Sequence, residues 1–317
     1  MPAPVGPDPA PPPADLPVDA ARVDALCAAL VPEPGRELED FVTTVGAAPL
    51  DQGWDNVLWP VGTVRGEPVV LRVVRRASAV PLLGREILVL RHLADVAEQL
   101  PMRIPTPLAT TDHATLVPWI PGRTAGEVEE GSRVGVAWSV ARMLARVHSL
   151  PAPRVDPNPV RGAPLATRTE AFAGDLERSG VDAVTRRRAR GGWDRGLGAT
   201  TWDRPALLMH GDPHPGNVVV PPAGTVREAA LIDWGDATIG DPASDLGALL
   251  LHDPSDSMLR AYRAEATWAG IADEACWSAL VDRSWAWGVR LALSLLTAYP
   301  RGHRLGRAGQ RLLDACR

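Results

Sequence analysis

Between Leu208 and Val220 the chain carries His210-Gly211-Asp212-Pro213-His214-Pro215-Gly216-Asn217, and about twenty residues after Asp212 comes Asp233-Trp234-Gly235. An Asp, an Asn five positions on and a later Asp-aromatic-Gly form the set of groups that phosphoryl transfer needs. One carboxylate takes up the proton of an attacking hydroxyl, while an amide oxygen and a second carboxylate hold a divalent metal on nucleotide phosphates. Asp212 suits the first role; Asn217 and Asp233 suit the second. Hard cations such as Mg²⁺ prefer oxygen ligands, and pairing a neutral Asn with one Asp limits the charge crowded around the ion. Zinc on His210 and His214 would need a third protein ligand, and Cys27, Cys276 and Cys316 offer no paired spacing. The histidines are therefore not read as metal ligands.

These residues need elements to position them. An apolar run at 206–209 leads into the first loop and the β-branched run at 218–220 leads out of it. A second apolar run at 229–232 delivers Asp233 after a Pro- and Gly-containing turn at 221–224. Upstream, a short helix is predicted over residues 18–30, then strands at 41–45, 57–61 and 69–74 separated by Gly-bearing turns. Pro81 opens a helix to about residue 99, and 108–110 with 114–117 form a hairpin. The remainder is helical, with periodic stretches at 133–148, 169–179, 181–190, 257–268, 274–299 and 305–315. His148 is read as a satisfied buried polar group and Asp245 as a helix cap or loop clamp. The first 20 residues hold eight prolines and no aromatic or basic side chain, a composition read as a disordered tail.

Composition excludes several partners and chemistries. A net charge of −5 with no basic stripe argues against nucleic acid. No leader precedes the first cation, Arg22, and the most apolar late stretch, 285–299, is interrupted by Arg290 and too short to span a bilayer. Three scattered cysteines suit a reducing compartment, so a cytoplasmic location is expected. All 33 Lys-plus-Arg positions are Arg, which removes lysine-dependent phosphate loops and Schiff-base chemistry. Oligomeric state is not specified by any of these features.

The 210–217 pattern, Ile232-Asp233-Trp234-Gly235 and Gly240-Asp241-Pro242-Ala243-Ser244-Asp245-Leu246 together resemble the aminoglycoside phosphotransferase family, over roughly residues 36–300. Gly53-Trp54-Asp55-Asn56, Val70-Leu71-Arg72-Val73-Val74-Arg75-Arg76 and Arg161-Gly162-x-Pro164-Leu165 are most similar to its aminoglycoside and macrolide kinases. The resemblance implies an α+β, protein-kinase-like two-lobed fold. Residues 21–117 would form a nucleotide-binding lobe of antiparallel sheet and one helix, 118–122 a hinge, and 123–317 a mostly helical catalytic and acceptor lobe. It further implies that Arg72 contacts nucleotide phosphates and that Glu86 orients it through a bidentate pair, unless the two are only a surface pair. Gly53 and Trp54 would lie in the turn covering the nucleotide, and the Pro118 carbonyl and Ile120 N–H would meet the base. ATP or GTP with Mg²⁺ is the implied cofactor and a small-molecule hydroxyl the implied acceptor, as in an antibiotic-resistance kinase. A metabolic kinase for choline, a sugar or an amino-acid derivative shares the pattern. A nucleotide-binding pseudokinase is disfavoured, because none of Asp212, Asn217, Asp233, Glu86 and a basic residue at 72 is missing.

Two features bear on the acceptor. Residues 241–282 carry eight acids against Arg260 and Arg263, a formal balance of −6 that suits a polycation, although solvated helix faces are commonly acidic too. Trp268, Trp277, Trp285 and Trp287 would instead supply area for an apolar ring, or simply pack the core.

Overall fold

The computed structural model of the chain describes residues 10–36, 38, 40–222 and 228–316. It divides into two compact units, one of Ala10–Ala97 with Ile104–Pro121, the other of Glu98–Arg103 with Gly122–Arg317.

The N-terminal unit contains α1 (Ala20–Ala28), β1 (Val31–Pro32), β2 (Phe41–Thr43), β3 (Asp51–Gln52), β4 (Asn56–Val64), β5 (Glu67–Val74), α2 (Val80–Ala94), β6 (Ala109–Thr110) and β7 (Ala114–Pro118). Its antiparallel sheet runs β1-β6-β7-β5-β4-β2, with β3 also on β4. Strand alternation sorts the side chains of β5. Val69, Leu71 and Val73 join Val57, Trp59 and Val61 of β4 in one apolar cluster with Val23 of α1. The opposite face carries Arg72 and Val74, and Val74 packs with Leu83 and Ile87 of α2. Arg72 is thus set toward the helix that bears Glu86.

Residues 1–9 of the expected tail lie outside the described residues, and its later part departs from expectation. Ala77 N–H donates to Asp15 at 2.8 Å and Leu16 N–H to the Arg75 carbonyl at 3.0 Å. Leu16 and Val18 add apolar contacts to the N-terminal unit.

The C-terminal unit contains β8 (Arg123–Thr124), α3 (Glu130–His148), α4 (Thr169–Arg178), α5 (Ala183–Gly198), β9 (Leu207–Met209), β10 (Val218–Val220), β11 (Ala230–Leu231), β12 (Thr238–Gly240), α6 (Ala243–Leu249), α7 (Asp256–Glu265), α8 (Glu274–Ala298) and α9 (Arg304–Ala315). Helix α8 is the axis against which α4, α5, α6 and α9 pack. Helix α5 outruns its expected end near residue 190, and two of its later glycines, Gly192 and Gly196, pack against α8. A Cβ on Gly196 would lie 2.3 Å from that of Ala286, so α5 and α8 approach more closely than a side chain would permit. Part of the 221–224 turn lies outside the described residues. No helix among the described residues is long and apolar enough to cross a membrane.

Two small ladders position the loops singled out by the sequence. β10 pairs with β8 and β11, and β12 pairs with β9, all antiparallel. The 210–217 loop therefore leaves β9 and enters β10, while the 232–237 loop leaves β11 and returns through β12. Ile232 N–H donates to the Asn217 carbonyl at 2.9 Å, joining the two loops.

Candidate active site

Gly211 shapes the first loop. Its φ is +91°, and a Cβ there would lie 2.1 Å from the Asp236 carbonyl oxygen, so only glycine fits this left-handed turn against the second loop. Asp245, in the first turn of α6, accepts from His210 N–H at 2.8 Å and Gly211 N–H at 2.9 Å. Of the two roles expected for Asp245, the structure shows the loop clamp. His210 is enclosed, with Nδ1 accepting from Asp212 N–H at 3.2 Å and Nε2 3.0 Å from the Ile232 carbonyl. Those partners make Nε2 the protonated nitrogen. Burial, opposed by Asp245 and Asp212, lowers the His210 pKa and keeps the ring neutral. With both nitrogens engaged by backbone, His210 serves the loop and not a metal.

Asp212 is half-buried, and its Oδ2 lies 3.0 Å from Arg161 Nη2 and 3.9 Å from His214 Nε2. Asn217 Nδ2 donates to the Asp212 carbonyl at 2.9 Å. That bond commits the nitrogen end of the amide and leaves its oxygen as the end available to a cation. Asp233 is exposed and has φ of +63°, a left-handed conformation that costs a non-glycine residue on the order of 1 kcal/mol or more. Trp234 beside it is fully buried, its indole N–H bonded to the Leu231 carbonyl and its ring edge-on to His210.

Arg161 lies in the 161–165 segment of the resemblance, which implies no site role for it. Its guanidinium bridges the loops, reaching Asp212 at 3.0 Å and Asp236 at 3.4 Å. Burial works against its charge, but Asp212, Asp236 and Asp245 outweigh that and raise its pKa above the ordinary arginine value. Asp236 is held by Asn158 Nδ2 at 3.1 Å. The only sequence signal for this arrangement was Arg161 beside a glycine; its carboxylate partners are 51 and 75 positions away.

Behind the loop lies a buried polar chain. Trp268 Nε1 donates to Tyr262 Oη at 2.8 Å, Tyr262 Oη is 2.8 Å from His148 Nδ1, and His148 Nε2 is 3.2 Å from Asp245 Oδ2. His148 is a satisfied core histidine, as expected, and it braces the clamp. His252 was not singled out by the sequence; its Nε2 is 2.9 Å from the Pro213 carbonyl, and burial lowers its pKa to about 4. A free histidine titrates near ~6.5, so between these values the unfolded chain binds the extra proton. Stability contributed by His252 is then complete above ~6.5 and declines as pH falls toward 4. Urea denaturation of His252→Gln should lose about 2 kcal/mol less stability between pH 7 and pH 5 than the parent does. Parallel pH profiles would show that His252 is not buried in its neutral form.

In the N-terminal unit, Arg72 Nη1 is bonded to Glu86 Oε1, and the two side chains are 13% and 4% exposed. Glu86 is buried and Arg72 largely so, and the two are not a surface pair. With its oxygen toward the guanidinium, the Asn56 amide also accepts from Arg72 Nε and Nη2 at 3.2 and 2.8 Å. Asn56 closes the turn holding Gly53 and Trp54, and Gly53 N–H donates to the Asn56 carbonyl at 2.9 Å. Arg75 reaches the Trp54 carbonyl at 3.2 Å and Arg76 pairs with Asp55 at 3.0 Å, so the turn is tied to the end of β5. Trp54 itself is exposed. Pro118 ends β7, while Ile120 is buried and its N–H has no hydrogen-bond partner among the described residues.

A sequence profile described as "Phosphotransferase enzyme family" matches residues 46–280. No curated protein matches the chain. Among solved structures, the chain is similar to macrolide 2'-phosphotransferase MphH from Brachybacterium faecium, with 22% identity, 86% of this chain and 93% of that chain covered, and a TM-score of 0.51. It is similar to a type I macrolide 2'-phosphotransferase at 23% identity, covering 92% and 96%, with a TM-score of 0.54. It is similar to the GDP and kanamycin complex of APH(2")-IIia at 17% identity, covering 93% and 98%, with a TM-score of 0.57. The α+β, protein-kinase-like fold expected from the sequence is the fold these structures share.

Proposed function

Because the chain belongs to the phosphotransferase enzyme family, we propose that it transfers the γ-phosphate of ATP or GTP to a hydroxyl of a small molecule, an aminoglycoside or macrolide antibiotic. One observation carries this reading: Asn217 donates to the carbonyl of Asp212, while its own carbonyl accepts from Ile232, next to Asp233. These bonds join the two loops and support reading Asp212 as the proton acceptor and Asn217 and Asp233 as oxygen donors to a cation. Solved complexes with GDP and kanamycin, and with streptomycin and ATP, come from proteins of similar fold and support the choice of ligands.

In this reading Asp212 accepts the proton of the acceptor hydroxyl as phosphorus–oxygen bond formation proceeds. Arg161 fixes the direction of that carboxylate and, with its positive charge, stays on Asp236 throughout. The Asn217 oxygen and the Asp233 carboxylate fit Mg²⁺, both being hard donors and the amide nitrogen being committed elsewhere. Mg²⁺ when bound supplies charge neutralisation on the β- and γ-phosphates. Arg72, oriented by Glu86, binds nucleotide phosphates under the Gly53-Trp54 turn, and the Pro118 carbonyl and Ile120 N–H hold the base. Three free cysteines without a disulfide among the described residues suit action in the cytoplasm.

Mass spectrometry of aminoglycosides, macrolides and small amino alcohols incubated with ATP or GTP and Mg²⁺ is the direct test. A gain of one phosphate on any of them supports the proposal; nucleotide binding without transfer to any would indicate a pseudokinase. Asp233→Ala should abolish the dependence of nucleotide affinity on Mg²⁺, and an unchanged dependence would remove Asp233 from the metal site. Arg72→Lys should lower kcat/KM for nucleotide about ten- to a hundredfold despite keeping the charge, because a point charge cannot serve Glu86 and Asn56 as the planar fork does. Steady-state kinetics equal to wild type would show that the fork is dispensable.

A further inference from the structure

Outside the two joined loops, the C-terminal unit encloses a charge that its own residues do not answer. Arg290 lies in α8 with its side chain 12% exposed. Its guanidinium meets one carboxylate among the described residues, Asp175 of α4, and Nη2 stands 4.0 Å from Oδ2, beyond hydrogen-bonding distance. Asp175 is already engaged, its Oδ1 accepting from Arg178 Nη2 at 2.8 Å. The Arg290 Nε is buried without a hydrogen-bond partner among the described residues. A guanidinium keeps its charge inside a protein, so a buried one without a bonded partner carries a desolvation cost that the fold does not recover.

A second arginine shares this condition. Arg168 ends the turn Leu165–Arg168, which packs against α4, α5 and α8, and its Nε is likewise buried without a hydrogen-bond partner among the described residues. Burial, then the charges of Arg161 and Arg168, bring the Arg290 pKa down to about 10, against the pull of Asp175 and Asp212. Arg290 therefore lies in the field of both other arginines and of Asp212. Arg161 is satisfied by Asp212 and Asp236, and Asp175 by Arg178. Arg168 and Arg290 are left as cations with no bonded carboxylate among the described residues.

The chemistry of the missing partner follows from the donors. A planar fork of N–H groups matches the oxygens of a phosphate or a carboxylate, and such a charge-assisted bond gains strength where water is scarce. A cationic group would meet like charge here. We propose that Arg168 and Arg290 form an oxyanion subsite in the C-terminal unit, between α8 and the turn before α4, which takes a phosphate or carboxylate group of a ligand. The subsite stands on these side chains alone, whereas its use in turnover rests on the kinase reading above. The oxyanion is then either the phosphate just placed on the acceptor hydroxyl or an acidic group that the acceptor itself carries.

Equilibrium dialysis of the full chain with radiolabelled inorganic phosphate, without nucleotide or Mg²⁺, tests the subsite. Phosphate should bind saturably, and Arg168→Gln and Arg290→Gln should each weaken it about tenfold, the loss of one charge-assisted bond. Phosphate should also raise the urea midpoint of the parent protein more than that of Arg290→Gln. In phosphate-free buffer the midpoint of Arg290→Gln should equal or exceed the parent's, since the substitution removes a buried charge without a bonded partner. Absence of saturable binding, or binding indifferent to both substitutions, overturns the proposal. So does a lower phosphate-free midpoint for Arg290→Gln, which would make the long contact with Asp175 the reason for the arginine.

Transfer assays with nucleotide and Mg²⁺ distinguish the two sources, and either one supports the subsite. Phosphate gained by glycerate or glycerol 3-phosphate but not by glycerol, and lost in Arg290→Gln, gives the acceptor's own acidic group. Inhibition by the phosphorylated product that weakens in Arg290→Gln gives the transferred phosphate. Phosphate binding sensitive to both substitutions, with no transfer to any acceptor, keeps the subsite and overturns the kinase reading. Transfer by a chain that does not bind phosphate does the reverse.

Discussion

Asp212→Asn is expected to lower kcat by about 10²–10⁴-fold, the usual contribution of a positioned general base, and to leave nucleotide affinity nearly unchanged. The substitution preserves shape. Arg161 keeps its bond to Asp236, the backbone of residues 210 and 211 stays on Asp245, and the Asp212 carbonyl that orients Asn217 is untouched. What disappears is the ability to take a proton. Pre-steady-state and steady-state kinetics with a competent acceptor provide the check, and a variant retaining more than about a tenth of wild-type kcat would show that proton transfer does not pass through residue 212.

Asp245→Ala should destabilise the C-terminal unit by about 3–5 kcal/mol. Asp245 is fully buried and accepts from two backbone amides and stands within bonding distance of His148. Alanine would leave those donors without an acceptor in a site water does not reach, and each such loss costs about 1–3 kcal/mol. Activity should fall further than stability alone explains, because the amides released are those preceding Asp212. Chemical denaturation alongside kinetics at a temperature where the variant remains folded separates the two effects. A loss below about 1 kcal/mol would mean that the carboxylate is not what holds the loop.

Much of this arrangement was legible because its chemistry is local. Asp212, Asn217 and Asp233, the last of them two residues past β11, are near neighbours in sequence, and the runs that position them have the simple period of short strands. The Arg72–Glu86 pair was also within reach, since strand parity and the following helix bring them together 14 positions apart. Arg161 and His252 were not legible, because each acts on backbone or carboxylates of distant elements. Their meaning depends on which loops the small ladders bring together. Charge counting along the chain sees only part of the balance: Glu265, Asp273 and Asp241 of the acidic 241–282 segment pair with Arg142, Arg204 and Arg283 from outside it. Helix α5 extends past its expected end because Gly192 and Gly196 answer to α8 and not to their own propensity.

The clamp on residues 210 and 211 also places the loop in time. Surface loops usually open by small local fluctuations, whereas an amide bonded to a buried carboxylate exchanges its hydrogen only when the surrounding core gives way. The amide hydrogens of His210 and Gly211 should therefore be among the slowest in the chain to exchange with deuterated solvent, alongside those in the middle of α8. The segment carrying Asp212 is then a fixed anvil during turnover, and whatever motion admits substrate and releases product belongs to other parts of the molecule.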